Sequence, residues 1–361
     1  MPQALARALQ GATADAAPVR DFRSPRVDLN GKTVLITGGT GSFGKAFARM
    51  ICEEFQPRKL IVFSRDELKQ YEMAQSFPAD SLRFMRYFIG DVRDASRLEM
   101  AMRGVDYVIH AAALKQVPTA EYNPFECIKT NVMGAENVVN AAIACGVKRV
   151  VALSTDKAAN PINLYGASKL AADKIFCAAE AMAGDSGTSF SVVRYGNVLG
   201  SRGSVAPLFR RLVAEGAVDL PITDARMTRF WITLDQGVNF VLSSMEMMRG
   251  SEIFVPKIPS TRTADLASAV APSLPHRLVG IRPGEKLHEV MVPEDDARST
   301  VELHDRYVIL PSGHDRRRAE YLDAGGRPVD DGFSYASDRN PEPLDARGLQ
   351  ALLAMAMARE G

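Results

Sequence analysis

The stretch "TVLITGGTGSFGKAFARMICEEF", residues 33–55, sets five residues of an apolar run directly before a glycine-rich turn and a helix-forming segment. Gly38, Gly41 and Gly44 recur at every third position, with Thr40, Ser42 and Phe43 between them. Glycine permits the tight turn, lets backbone N–H groups approach a pyrophosphate, and lets the helix pack closely with its N-terminus facing the phosphates. The spacing is G-x-x-G-x-x-G, not the G-x-G-x-x-G of ordinary dehydrogenases. Strand before and helix after make it a dinucleotide cradle.

Working outward, the runs "TVLIT", "KLIVF", "FMRYFIG", "YVIHAA", "RVVALS" and "SFSVVRY" recur with helix-like stretches between them. Each is too short for a helix. This is the rhythm of βαβ units in a parallel sheet, so the expected fold is α/β, a Rossmann-type doubly wound parallel sheet with a smaller C-terminal lobe. The division expected is an N-terminal extension at 1–30, the cofactor domain at 31–198 and 229–258, a substrate-binding lobe at 199–228 and 259–345, and a tail at 346–361. Residues 310–345, rich in Asp, Arg, Pro and Gly, read as loosely packed.

Composition narrows the function. With 44 basic against 43 acidic side chains in 361 residues, no whole-chain field favours nucleic acid or an anionic membrane. Any bound anion must be held locally. The four cysteines, Cys52, Cys127, Cys145 and Cys177, lie far apart and read as reduced thiols, and five scattered histidines give no metal set. No run approaches a membrane span or a signal peptide, so the cytoplasm is the expected compartment, with neither nucleic acid nor membrane as partner.

Twenty residues past Gly44, "KLIVF" ends in Ser64-Arg65, where an NAD-selective enzyme usually places an acid for the ribose 2′-hydroxyl. A hydroxyl and a guanidinium suit a 2′-phosphate, which favours NADP; Asp66 keeps NAD as the lesser option. Asp91 and Val92 in "GDVRD" are placed to line the adenine, and "HAAALK" brings Ala111 and Ala113 to the cofactor and Lys115 into the cleft.

"STDKAANPINLYGASK", residues 154–169, carries two acid/base pairs. Tyr165 and Lys169, four apart, share one face of a helix. A phenol with an ordinary pKa near 10 is a poor base at neutral pH, but an adjacent ammonium and an oxidised nicotinamide favour phenolate, able to accept a sugar hydroxyl proton as hydride leaves. Ser154 and Thr155 precede the pair at the end of the fifth strand.

Together "TGGTGSFG", "HAAALKQVP", "STDKA", "YGASK", "RYGNVLGSRGSV", "MTRFWIT" and "RPGEKLHE" resemble the extended short-chain dehydrogenase/reductase superfamily, over about residues 31–310. Within it the chain is similar to the inverting UDP-N-acetylglucosamine 4,6-dehydratases that open the pseudaminic acid pathway. The resemblance implies UDP-N-acetylglucosamine as substrate, tightly bound NADP and a homo-oligomer. It implies that Lys157 removes the C5 proton after C4 oxidation, Asp156 protonates the departing C6 hydroxyl, and Thr155, Tyr165 and Lys169 serve the redox step. A lysine base must shed its charge, so the Lys157 pKa is expected to fall.

The same resemblance adds Lys69, Thr130, Ser154, Val198, Ser201, Gly203 and Ser204 to the cofactor shell. For the sugar nucleotide it implies Lys115 and Asn197, and Arg226, Arg229, Arg282, Gly284, Glu285 and Lys286 as diphosphate and uridine contacts, with Thr223 and Met227 close by. His110 and His288, the latter in a helix-like "GEKLHEV", read as structural, and Trp231 as core. Retaining membrane-anchored relatives carry Asp-Lys with Met in place of the tyrosine, so Tyr165 favours inversion. A UDP-sugar 4-epimerase, a C4 reductase and a retaining 4,6-dehydratase are the alternatives.

Overall fold

The computed structural model describes residues 20–357 except Ala79, Ser312 and His314; residues 1–19 and 358–361, parts of the expected extension and tail, lie outside the described residues. All six apolar runs form strands: β1 (Thr33–Thr37), β2 (Lys59–Ser64), β3 (Met85–Ile89), β4 (Tyr107–His110), β5 (Arg149–Thr155) and β6 (Ser189–Tyr195). Later come β7 (Ile253–Pro256), β8 (Thr300–Glu302), β9 (Arg306–Ile309) and β10 (Arg327–Pro328). They join one ten-stranded sheet in the order β10-β8-β9-β7-β6-β5-β4-β1-β2-β3. β1 to β7 pair in parallel, and β8, β9 and β10 close one edge antiparallel. The chain order reverses between β1 and β4, where an open α/β sheet leaves a ligand crevice beyond its strand ends.

The strands are apolar along their length because helices cover both faces; every residue of β1 is buried. The main helices are α1 (Ser42–Glu54), α2 (Glu67–Gln75), α3 (Ala95–Met102), α4 (Gly134–Ala144), α5 (Leu164–Ala183) and α6 (Leu234–Met247). α1 packs on α6, while α3, α4 and α5 pack in series. Side-chain caps fix their starts: Asp66 accepts from Lys69 N at α2, Asn163 from Gly166 N at α5, and Thr233 with Gln236 forms a reciprocal capping box at α6.

Three parts differ from the sequence reading. Within the expected extension, Phe22, Val27 and Leu29 are buried in the main core and Arg20 pairs with Glu342 at 2.6 Å, since an apolar side chain every few residues suffices to dock an irregular segment. Residues 300–328, expected in the substrate lobe, extend the main sheet instead. In the stretch expected to pack loosely, Tyr321 and Tyr335 are buried, their hydroxyls bonded to Glu252 and to the Ile258 backbone.

A second body of structure stands over the strand ends. It holds a three-stranded sheet of Asn197–Val198, Thr228–Ile232 and Ser260–Arg262, and the pair Leu220–Ile222 with His276–Leu278. Its cores are separate from the main one: Phe209, Leu220, Ile222, Ala267 and Ala271 form one, and Trp231, Leu199 and Leu266 meet Leu349, Leu352 and Leu353 of the C-terminal helix in the other. Trp231 is a core residue, as expected.

Candidate active site

A cleft of about 890 Å³ runs between the sheet and this second body. Its wall includes every expected cofactor residue, every expected substrate residue except Arg226, and four of the five expected catalytic ones.

At the cofactor end, Gly38 has φ +65°, and a Cβ there would sit 2.8 Å from the Ala112 backbone, so only glycine fits the turn. Gly41 caps α1 without a side-chain hydrogen bond, leaving the first-turn N–H groups for a ligand. Thr37 Oγ1 accepts from the N–H groups of Ala111 and Ala112 and contacts His110 Nδ1 at 2.8 Å, holding the wall opposite. Burial holds the His110 pKa down to about 3, with Lys169 adding to the effect, so the imidazole is neutral. That is the structural role expected of it; His288, bonded to Thr228 Oγ1, has the same.

At the end of β2, Ser64 is buried and accepts from Gln70 Nε2. The Arg65 side chain is about half exposed, with one long contact to Asp91 at 3.5 Å. Asp66 is committed: one oxygen caps Lys69 N and the other pairs with Lys69 Nζ at 2.6 Å. Buried polar atoms normally find a partner. Along this wall Thr130 Oγ1, Asn197 Oδ1, Ser204 Oγ and Thr263 Oγ1 are buried without one. Those four atoms are placed to bond a polar ligand in the cleft, such as a dinucleotide held along Gly38 to Gly44.

The catalytic segment follows from β5 and α5. A turn of 3-10 helix, Asp156–Ala158, opens where β5 ends, and α5 begins at Leu164. Gly166 lets α5 approach: a Cβ there would lie 2.2 Å from the Lys157 carbonyl oxygen. Tyr165 and Lys169 both face the cleft, but they are not paired as expected. Lys169 Nζ donates to the Leu153 carbonyl at 2.7 Å, because a buried ammonium takes the nearest strong acceptor. Burial lowers the Lys169 pKa, with Asp173 opposing. Burial also pushes the Tyr165 phenol up to about 12, against Lys157 and a hydrogen bond with Thr155, so the expected drop is not found in the chain alone.

Asp156 is the one expected catalytic residue absent from the cleft wall. Its side chain is 0% exposed, with Oδ1 accepting from Thr155 Oγ1 and from Lys157 Nζ, both at 3.0 Å, and Oδ2 without a partner. Successive residues of a 3-10 turn point about 120° apart, so when Lys157 faces the cleft Asp156 turns inward. Direct protonation of a leaving hydroxyl by Asp156 is therefore not what this arrangement offers.

Lys157 is 27% exposed and reaches a second carboxylate, Glu289 Oε1, at 3.3 Å. Burial alone would lower its pKa, but Asp156 and then Glu289 outweigh burial and hold the ammonium well above an ordinary lysine. The expected fall is thus reversed: the flanking carboxylates stabilise the charge more than desolvation penalises it.

Glu289 itself is 2% exposed. It lines the cleft, and the sequence reading missed it although it ends the quoted motif "RPGEKLHE". That segment is not helical. It is a loop running into the strand Val290–Val292, anchored where Glu289 N–H donates to Ser337 Oγ and Ser337 N–H donates to the Glu289 carbonyl. Gln116, Asn163 and Thr263 are further wall residues not anticipated; Asn163 both caps α5 and donates to the Gly284 carbonyl, tying the substrate loop to the catalytic helix.

On the substrate side, Thr223, Met227, Asn197, Lys115, Arg282, Gly284, Glu285 and Lys286 line the cleft. Arg282 pairs with Glu285 and is mostly exposed. Arg229 is buried, and its fork is spent on the carbonyls of Thr228, Lys286 and Leu287, so it shapes the loop instead of offering a free fork to a diphosphate. Arg226 is not on the wall at all; it faces solvent in a bidentate pair with Asp224.

A family model described as polysaccharide biosynthesis protein matches residues 34–311. The chain belongs to this family. Among its curated relatives, the "UDP-N-acetylglucosamine 4,6-dehydratase (inverting)" of Campylobacter jejuni subsp. jejuni serotype O:23/36 is 58% identical over 319 residues, covering 87% of the chain and 95% of the relative. A "UDP-glucose 4-epimerase" of Rickettsia canadensis is 45% identical, covering 82% and 88%. Of solved structures, Pen from Bacillus thuringiensis has a TM-score of 0.84 at 35% identity, covering 92% and 99%. DesIV, a dTDP-glucose 4,6-dehydratase from Streptomyces venezuelae with NAD and TYD bound, has a TM-score of 0.61 at 26% identity, covering 71% and 86%. The fold is that of the Rossmann-type extended short-chain dehydrogenase/reductase superfamily.

Proposed function

We propose that the protein is an inverting UDP-N-acetylglucosamine 4,6-dehydratase. The observation that carries this is Lys157, an amine on the wall of the same cleft as Tyr165 and Lys169, in a chain 58% identical to a relative of that name. A 4-epimerase or C4 reductase needs only the tyrosine and the lysine beyond it, and would leave Lys157 idle.

A nicotinamide dinucleotide bound along Gly38 to Gly44 supplies reversible hydride acceptance. What supports NADP is the half-exposed Arg65 beside a Lys69 that has already engaged Asp66. Tyr165 takes the C4 hydroxyl proton, which requires the positive nicotinamide charge to bring its raised pKa down. The resulting ketone makes the C5 hydrogen acidic. Lys157 removes it as the C6 hydroxyl departs; the hydride taken from C4 then returns at C6, and C5 is reprotonated from the opposite face. Asp156 acts through Lys157 and Thr155, to which it is bonded. With this reading go the finer expectations of the family resemblance: the pseudaminic acid pathway, a homo-oligomer and the cytoplasm. The lobe over the strand ends holds the sugar nucleotide.

Incubating the purified protein with UDP-N-acetylglucosamine and following the product separates the readings. Loss of water without consumption of added NADPH is expected; UDP-N-acetylgalactosamine in its place would favour the epimerase.

A further inference from the structure

Asp156 cannot reach the cleft directly, yet the elimination needs both a neutral amine at Lys157 and a proton for the leaving hydroxyl. The structure contains a group placed for both needs. Glu289 lines the cleft, is 2% exposed, holds Oε1 3.3 Å from Lys157 Nζ, and has Oε2 buried with no protein partner. Its backbone is pinned on both sides by Ser337, and Oε1 also lies 3.7 Å from Arg229 Nε.

We propose that Glu289 is the proton partner of Lys157: it takes the ammonium proton to free the amine, then gives that proton to the departing C6 hydroxyl. This deepens the dehydratase reading and rests on it.

The step balances. A proton passes from Lys157 to Glu289, giving amine and carboxylic acid. The amine takes the C5 hydrogen as H⁺, its electron pair forms the C5–C6 double bond, the C6–O bond breaks, and the Glu289 proton leaves in the water. Lys157 ends as ammonium and Glu289 as carboxylate, as they began.

The electrostatics agree in direction. Burial raises the Glu289 pKa and the Asp156 charge raises it further, while Lys157, Arg229 and Lys286 oppose. Facing Lys157 are Asp156, Glu289, Arg229, Lys286 and Tyr165. Moving one proton across 3.3 Å turns a buried ion pair into two neutral groups, and the desolvation that opposes buried charge favours this once substrate expels water from the cleft. No exchange with solvent is required.

The test compares Glu289→Gln, which keeps shape but cannot accept a proton, with Glu289→Asp. In the Gln variant kcat for keto-sugar formation should fall by about 10²- to 10⁴-fold, the usual span of a general acid–base group. KM should stay within about threefold, melting temperature and NADPH binding should match the parent, and NADPH absorbance should still rise on mixing with substrate. The Asp variant should recover part of kcat with a displaced pH profile. Parental kcat and an unchanged pH profile in either folded variant overturn the proposal. If the parent itself releases no water, it is the dehydratase reading that fails, not the assignment of Glu289.

Discussion

Lys157 Nζ lies 3.3 Å from Glu289 Oε1, between a carboxylate of its own turn and one delivered from the far end of the substrate loop. The amine that the proposed elimination needs neutral is therefore held as a stabilised cation. Substrate must change that balance, which ties proton transfer to occupancy of the cleft.

Replacing Lys157 with alanine removes the group that takes the C5 proton in this account. Cofactor binding and C4 oxidation should survive, and keto-sugar release should drop by about 10²- to 10⁴-fold. Stopped-flow absorbance and product analysis check it; near-parental release would show that another base acts.

Arg65→Asp tests the 2′-phosphate argument. A lost charge-assisted hydrogen bond costs about 1.5–3 kcal/mol, or about 10- to 150-fold in affinity. NADP binding should weaken by at least that order, and NAD binding by no more than a few-fold, in fluorescence titrations. Equal losses would remove the basis for preferring NADP.

Gly166→Ala would place a methyl group 2.2 Å from the Lys157 carbonyl oxygen, so α5 and the catalytic turn must separate. Overpacking of this kind costs about 1–3 kcal/mol. The melting temperature should fall, and kcat should fall more than KM rises, because Lys157 is displaced along with its backbone.

His110 makes acid stability informative. Its native pKa is held near 3 from an ordinary 6.5. Below 6.5 the unfolded chain takes up a proton that the native state refuses, so this contribution to stability is intact above 6.5 and is lost as pH falls toward 3, at up to about 1.4 kcal/mol per pH unit. In His110→Gln, the pH dependence of denaturation in that window should flatten by about one proton.

Much of the fold was legible because its signals are local. Each of the six strands is a short apolar run, and the glycine turn needs only neighbouring residues to declare it. Tyr165 and Lys169 were equally visible, four apart on one helix. What was not legible depends on distant contacts. The inward turn of Asp156, the carbonyl that captures Lys169, and the carbonyls that occupy Arg229 follow from three-dimensional packing. Glu289 lies just before a strand held against Tyr335–Ala336, and that pairing, which no periodicity announces, sets it beside Lys157. Residues 300–328 were misplaced for the same reason: strands of two to four residues joining an edge carry little pattern of their own.

The most direct measurement is NMR of the product made from UDP-N-acetylglucosamine in D₂O. The account predicts a 6-deoxy-4-keto sugar nucleotide with deuterium at C5, inverted configuration there, and hydrogen carried from C4 to C6. A product with C6 still hydroxylated, or with C5 retaining its original configuration, would contradict it.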